Sequence, residues 1–408
     1  MKLDPDQHAF LTDPATVAVM DALSPGNADT ARFVGGCVRN AIQGEPVEDV
    51  DIATQATPDE TLAALQAAGI RAIPTGIEHG TITAVVNGAP FEITSLRKDV
   101  TTDGRRAVVA FTTDWRLDAA RRDFRLNAIY ARRDGSLFDP WNGVEDAQAR
   151  RVVFIGDPDQ RLAEDVLRIL RFYRFNAWYG STLDEAGHDA CIRAAPKLAG
   201  LARERVWKEL KKLLAAPDPG AVAKAMHLGH VLQPLWPEPL DLNLLLSIIN
   251  ADRGKGRAPD TLLRAAALCG GKGDAVRSLC DQMKASNAEA GRLVAMCDPA
   301  PERAGDVRPG LDGKALSRAL YVLGKETVSD RLRLAEARGE GDADAGLRTA
   351  AAWRAPDLPI NGRDLIEAGL KTGPQLGAVL SQLEEAWIDS DFTLDRQALL
   401  AMASEGRG

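Results

Sequence analysis

The sequence predicts an α/β N-terminal part followed by an all-α remainder, and three observations carry that prediction. Residues 33 to 44, FVGGCVRNAIQG, run from apolar Phe33 and Val34 through Gly35-Gly36 into a stretch of helical composition that Gly44 stops. Residues 81 to 97 hold two alternating runs about Asn87-Gly88, the signal of a hairpin with a type I′ turn. From about residue 220 the chain is rich in Ala and Leu. Short Pro/Gly clusters break it at Pro234 to Pro239, Asp298 to Pro301 and Ala355 to Pro359, which reads as a helical array without a fixed-period repeat.

The first of these stretches organises the rest. A strand that runs into glycines and then a helix start forms an anion cradle: backbone N–H groups can approach a phosphate closely, and the helix N-terminus adds partial positive charge. Arg39, one turn in, adds a full charge. Val47 to Ala53 then alternates as a strand does, so Asp49 and Asp51 point to one face while Val50 and Ile52 point to the other. Two carboxylates about 7 Å apart along a strand suit a hard cation such as Mg²⁺, which takes one or two carboxylates plus phosphate oxygens. Each half has a plainer reading alone, as a glycine turn and as a polar edge strand with two solvated acids. Joined within so few residues, they point to nucleotidyl-transfer chemistry.

A chain of 408 residues has ample core for two to four domains. Its 45% hydrophobic and 26% charged content is that of a soluble globular protein. No apolar run reaches the length of a membrane span, and MKLDPDQHAF lacks the apolar core of a signal peptide, so a cytoplasmic protein without a membrane partner is expected. The five cysteines, Cys37, Cys191, Cys269, Cys280 and Cys297, are odd in number and never in CxxC spacing, which reads as buried thiols. The net charge of −8 does not draw the whole chain to nucleic acid. Residues 150 to 212, with 13 Lys or Arg against 9 Asp or Glu, are the local exception and the place for a phosphate backbone.

GGCVRN followed by DVD resembles the GGxVRD…DxD signature of the class II nucleotidyltransferases, the family of tRNA CCA-adding enzymes and bacterial poly(A) polymerases. Asn40 stands where the family commonly has Asp. The resemblance implies a polymerase β-like nucleotidyltransferase head with a mixed sheet, followed by an all-α neck, body and tail. It implies that Asp49 and Asp51 are catalytic and hold the metal, while Gly35, Gly36 and Arg39 bind nucleotide phosphates.

Further along, Thr57-Pro58-Asp59-Glu60 is a capping box opening a helix through Ala68 that Gly69 ends. The Asn87-Gly88 hairpin puts Ile82, Ala84, Val86, Phe91 and Ile93 on one face and Thr81, Thr83, Glu92 and Thr94 on the other. Glu92 either joins the metal carboxylates as a third acid or is a solvated strand residue. The preceding GIEHGT resembles the CCA-adding branch of the family. Residues 97 to 113 lack sustained periodicity and read as a mobile surface loop beside the site. RRDFRLNA, residues 121 to 128, resembles the family's RRDFTxNA, which implies that Arg122 contacts the phosphates and Asp123 the sugar of the nucleotide; Arg125 replaces the usual Thr.

After a short strand over Val152 to Ile155, Asp157-Pro158-Asp159-Gln160 opens a helix expected to run to about Trp178. At 100° per residue Leu162, Val166, Ile169, Leu170 and Tyr173 form its apolar stripe, with Arg161, Glu164, Asp165, Arg168 and Arg171 opposite. Asp165 and Arg168, neighbours at i, i+3, read alone as a helix salt bridge. They also match a nucleobase edge. Cytosine and adenine each present an amino donor beside a ring-nitrogen acceptor, whereas uracil and guanine present a carbonyl beside an N–H. A bidentate match discriminates by roughly 1–3 kcal/mol. EDVLRILRFYRF resembles the family's EDxxRxxRxxRF, with Asp165 and Arg168 in the template positions and Arg171 and Arg174 following as nucleotide-binding arginines. Arg174 lies half a turn round the wheel, which directs it to phosphate or a neighbouring segment. GLARERVWKEL resembles the family's SxERxxxEL, with Ala202 for Ser, and the segment from Leu358 to Leu380 resembles its tail, where Gly373-Pro374 opens a helix beside Lys371. His188-Asp189, and His227 with His230, lack the partners that metal binding needs and read as structural.

The expected protein is a CCA tRNA nucleotidyltransferase: a head over 1–140, a base-reading neck over 141–220, a body over 221–340 and an RNA-binding tail over 341–408. Its partners are the tRNA 3′ end, CTP and ATP, and its cofactor is Mg²⁺. The alternatives are a poly(A) polymerase or A-adding enzyme that uses ATP only, and a non-catalytic RNA-binding protein that kept the fold.

Overall fold

The structure is a computed structural model that describes residues 1–103, 106–236 and 239–405. The chain forms two compact units, Met1–Pro237 and Glu238–Gly408. In the first, helix α1 (Pro14–Leu23) starts at Asp13, whose side chain accepts from the amides of Ala15 and Thr16. Strand β1 (Ala31–Val34) is buried throughout and feeds α2 (Gly36–Gln43), which Gly44 ends in the left-handed conformation. Strand β2 (Asp51–Thr54) and α3 (Pro58–Ala67) follow, α3 opening with the Thr57/Glu60 capping box. Next come β3 (Arg71–Gly76), β4 (Thr81–Val86) and β5 (Ala89–Ser95). Asn87 and Gly88 both have positive φ, as a type I′ turn requires. The register pairs Ile82 with Ile93 and Ala84 with Phe91, and all four are buried.

Residues 97 to 111 differ from the loop expected. They form an antiparallel ribbon, β6 (Arg97–Asp103) and β7 (Arg106–Phe111), with a register shift near Asp99. Gly104 and Arg105 lie outside the described residues. A two-strand ribbon has a sheet of its own, separate from the main one, so its sequence need not alternate.

Helix α4 (Trp115–Arg121), strands β8 (Tyr130–Ala131) and β9 (Leu137–Phe138) and helix α5 (Gly143–Gln148) complete the head. Its seven-stranded sheet has the order β3-β4-β5-β2-β1-β8-β9 and is mixed, since β2 and β5 are parallel while the other pairs are antiparallel. The strand expected over Val152 to Ile155 is shorter: β10 (Arg151–Val152) pairs with β11 (Thr182–Leu183), and Phe154 makes a single bridge to Phe124.

The long helix expected from 157 to 178 is two helices, α6 (Pro158–Glu164) and α7 (Arg168–Tyr179). Asp165 takes extended φ and ψ of −147° and 107°, and its carboxylate accepts from the amide of Leu167 at 3.0 Å. An aspartate that bonds its own backbone two residues on competes with the helix ladder, which is how the chain turns here. The unit closes with α8 (Glu185–Ala194), α9 (Arg203–Leu214) and α10 (Gly220–Leu228). Ala202 leaves α9 without a side-chain cap.

The described residues of the second unit form helices and the turns that join them, with no strand among them. It comprises α11 (Leu242–Gly254), α12 (Thr261–Leu268), α13 (Gly273–Met283), α14 (Asn287–Cys297), α15 (Gly313–Leu323), α16 (Lys325–Ala337), α17 (Asp344–Ala352), α18 (Gly362–Glu367), α19 (Pro374–Asp389) and α20 (Arg396–Glu405). One core gathers Leu316, Leu320, Val328 and Leu332, and another gathers Leu365, Leu383, Trp387 and Leu399. Arginines knit charges between helices: Arg292 holds Asp260 and Asp330, and Arg257 holds Glu336 and Asp344. Cys37, Cys191, Cys269 and Cys280 are buried and Cys297 is half-buried, and none of the described helices is long and apolar enough to cross a membrane.

Candidate active site

Gly35 makes the turn from β1 into α2 with φ 72° and ψ −122°, a conformation that side chains rarely adopt. A Cβ there would stand 3.8 Å from both Arg122 Nη1 and Asp51 Oδ2, so the glycine backbone lies between a guanidinium and a carboxylate. Arg39, on the first turn of α2, is buried and held by three side chains. Its Nη1 donates to Asn127 Oδ1 at 2.8 Å, its Nη2 and Nε donate to Asn40 Oδ1 at 2.8 and 3.2 Å, and its guanidinium lies 3.6 Å over the Tyr179 ring.

Asp51 opens β2 and pairs in register with Glu92 of β5. Asp49 differs from expectation: the strand begins only at Asp51, and Asp49 sits exposed in the irregular segment before it. The pairings of β2 to its neighbours begin at Ile52 on one side and Asp51 on the other, so the segment before Asp51 has no ladder to join. Burial, then the charge of Glu92 and that of Asp49, push the Asp51 carboxyl up to about 6 against the pull of Arg122 and Arg39. A carboxylate held among like charges in this way suits a divalent cation, whose charge would relieve the repulsion.

Arg122 leaves the end of α4 and donates to Asp118 Oδ2, to the Tyr130 hydroxyl and to the Asn127 carbonyl at 3.2 to 3.4 Å. Burial of Asp118 would raise its carboxyl, but Arg122 and Arg121 outweigh that and hold it at about 2. Asp123 accepts from Arg171 Nε and Nη2 at 2.9 and 2.5 Å, and from Asn127 Nδ2 at 3.3 Å. Both oxygens are therefore engaged within the protein.

Asp165 and Arg168 do not pair on one helix face, because the break at 165–167 separates them. Arg168 Nη1 instead binds Glu164 Oε2 at 2.6 Å and the Arg161 carbonyl at 2.8 Å. Asp165 Oδ2 lies 3.6 Å from Arg205 Nη2 of α9. Arg161, expected on the polar side of the helix, is buried and donates to the carbonyls of Arg121 and Arg122 at 2.7 and 2.5 Å. Arg174 pairs with Glu209 at 2.6 Å and covers the Phe175 ring at 4.4 Å, which places it against the neighbouring segment.

One cleft of about 550 Å³ is lined by Gly35, Gly36, Arg39, Asp51, Arg97, Arg121, Arg122, Asp123, Asn127, Asp165, Arg168, Arg171, Phe175 and Tyr179. Of the residues singled out in the sequence, Asp49, Glu92 and Arg174 are not among these lining side chains. Six arginines face three aspartates there, a balance suited to a polyanion. Sequence reasoning missed Asn127, Tyr179 and Glu164 as positioning groups. Asn127 and Glu164 lay inside the motifs quoted above, whereas nothing local marked Tyr179.

Three family models match successive parts of the chain: the poly(A) polymerase head domain over 31–153, the probable RNA and SrmB-binding site of polymerase A over 181–242, and a putative tRNA nucleotidyltransferase domain 2 over 263–403. The mitochondrial CCA tRNA nucleotidyltransferase 1 of Mus musculus is 35% identical over 388 residues, covering 91% of this chain and 85% of that protein. The chain belongs to the CCA-adding tRNA nucleotidyltransferase family. The CCA-adding enzyme of Limosilactobacillus fermentum is 33% identical over 396 residues, with 92% of each chain covered. The Bacillus stearothermophilus CCA-adding enzyme, solved in complex with CTP, shares the fold with a TM-score of 0.76 and 24% identity, over 97% of this chain and 98% of that one. As a nucleotidyltransferase family, CCA-adding enzymes depend on a divalent metal; in the cleft Asp51, under the charges of Glu92 and Asp49, is a carboxylate that could take one, while among the described residues the three carboxylates that lie within 4.8 Å of one another are Glu336, Asp342 and Asp344, in the second unit.

Proposed function

We propose that this chain adds C, C and A to the 3′ end of tRNA from CTP and ATP, without a nucleic-acid template, and that it works in the cytoplasm with Mg²⁺. The observation that carries the reading is the shared cleft, in which Asp51 and the Gly35-Gly36 turn stand with Asp165 and Arg168. Asp49 and Asp51 hold the metal, and Glu92, in register with Asp51, completes the acidic cluster around them. When bound, the divalent metal supplies Lewis-acid stabilisation of the charge that develops on the phosphates. The amides at the start of α2, with Arg39 and Arg122, hold the triphosphate. The tRNA 3′-hydroxyl attacks the α-phosphorus in line, a bond forms to that oxygen, and the bond to pyrophosphate breaks.

Asp165 accepts from the amino group of cytosine or adenine while Arg168 donates to the ring nitrogen, so that one pair of side chains accepts both nucleotides and repels U and G. Asp123 acts through Arg171, which it fixes with two bonds, and in that position it also borders the sugar. Arg174 anchors α7 to α9 through Glu209 and contributes a positive field to the phosphates. Residues 1–140 form the catalytic head and 141–220 the base-reading neck; 221–340 and 341–408 are the body and an RNA-binding tail.

The test is incubation of the purified protein with truncated tRNA and single nucleotides. Incorporation of CTP and then ATP is expected. Incorporation of ATP alone would favour the A-adding or poly(A) reading, and absence of any metal-dependent transfer a non-catalytic RNA-binding protein. Asp49→Ala and Asp51→Ala should each abolish incorporation while circular dichroism stays unchanged.

A further inference from the structure

We infer that Asn40 is a positioning residue for the metal site, acting through the segment that carries Asp49. This rests on the proposed role of Asp49. Asn40 lies on α2 directly after Arg39, and its amide faces two groups of opposite character. Its Oδ1 accepts two bonds from the Arg39 guanidinium, which can only donate, and its Nδ2 donates to the Pro46 carbonyl at 2.8 Å, which can only accept. Its backbone carbonyl takes the amide of Glu45 at 2.9 Å. Asn40 thus fastens the chain at 45 and 46 to the phosphate-side arginine, three residues before Asp49.

That fastening holds one end of the segment, and the sheet holds the other. No strand includes residues 45 to 50, and the sheet begins only at Asp51. At the N-terminal end Glu45 also pairs with Arg150 at 2.5 Å, with both side chains about two-fifths exposed. An exposed pair of this kind contributes little. The Asp49 segment is thus held between the Asn40 bonds at 45 and 46 and the sheet at Asp51, and the Asn40 side chain sets its N-terminal end and with it the spacing of Asp49 from Arg39.

A side-chain amide is the group that satisfies both neighbours at once. The carboxylate common in the family at this position could still accept from Arg39, but it would turn an oxygen towards the Pro46 carbonyl. Asn40→Asp deletes the donor while keeping shape and acceptor; Asn40→Ala deletes both.

The test measures Mn²⁺ binding by electron paramagnetic resonance on the full chain without nucleotide, so that phosphate contacts and turnover do not enter. Both Asn40→Asp and Asn40→Ala should weaken Mn²⁺ by about 3- to 10-fold, the worth of one hydrogen bond. The aspartate does so despite bringing an added negative charge, which by itself would strengthen cation binding. Thermal unfolding midpoints confirm that the variants are folded. If Asn40→Asp binds Mn²⁺ as the parent does while Asp49→Asn loses it, the inference about Asn40 fails and the metal-site reading stands. If Asp49→Asn also binds Mn²⁺ unchanged, the role of Asp49 fails and the inference falls with it.

Discussion

Arg122 illustrates how much of this site is made by groups that never face the cleft. Asp118 sits one turn before it on α4, with a side chain 1% exposed, and pairs with Arg121 and Arg122 while Tyr130 donates to it at 2.7 Å. Because the arginines hold the Asp118 carboxyl at about 2, below its ordinary 3.8, the pairing stabilises the fold fully above about pH 4 and is lost as pH falls towards 2. Asp118→Asn should cost about 2–4 kcal/mol at neutral pH and flatten the acid limb of the stability curve between about pH 4 and 2, as denaturant titrations at several pH values will measure. Glu164 plays the matching part for Arg168, the arginine proposed to read the base, since it holds Arg168 at 2.6 Å and Arg161 at 2.5 Å. Glu164→Gln should raise KM for CTP and ATP together by about 5- to 10-fold, the loss of one charge-assisted bond. A rise for one nucleotide alone in steady-state assays would show that Glu164 does not act through Arg168.

At the scale of elements, the glycine turn and the helix break do the positioning. Gly35→Ala should cost about 1–3 kcal/mol from its positive φ alone, read as a lowered midpoint in urea, because the space around a Cβ there is ordinary contact and only the backbone is strained. The strand-to-glycine-to-helix run, the capping box at Thr57 and the Asn87-Gly88 turn are all where the residues indicate, since each rests on chemistry within a few positions. The break at Asp165 was not legible in that way. EDVLRILRF has unbroken helical periodicity, and the turn depends on the Asp165 carboxylate taking the Leu167 amide while Arg168 takes the Arg161 carbonyl. The ribbon over 97 to 111 escaped for a different reason, because its strands pair only with each other and are free of the alternation that a packed sheet face imposes. Asp49 was drawn into a strand by alternation that starts at Val47, four residues before Asp51, where the pairing begins.

At the scale of the whole molecule, a chain of net charge −8 concentrates six arginines against three aspartates in one cleft. Binding of a polyanion there is electrostatic at range, so KM for the nucleotide should rise several-fold between about 0.05 and 0.5 M salt while the rate at saturation changes little, because screening shortens to a few ångströms. Salt-independent KM values would show that contact hydrogen bonds carry the affinity instead. By itself the sequence determined the family, the α/β-then-α order and the residue types of the chemistry, because these are written in short motifs and local periodicity. Only the tertiary structure decided that Asp165 leaves its helix, that Arg39 lies stacked on Tyr179 some 140 residues away in the chain, and that Asp51 gathers Glu92 beside it across a parallel pair. Each of these depends on which distant backbone comes within hydrogen-bonding distance, and that is a property of packing, which no local stretch of residues contains.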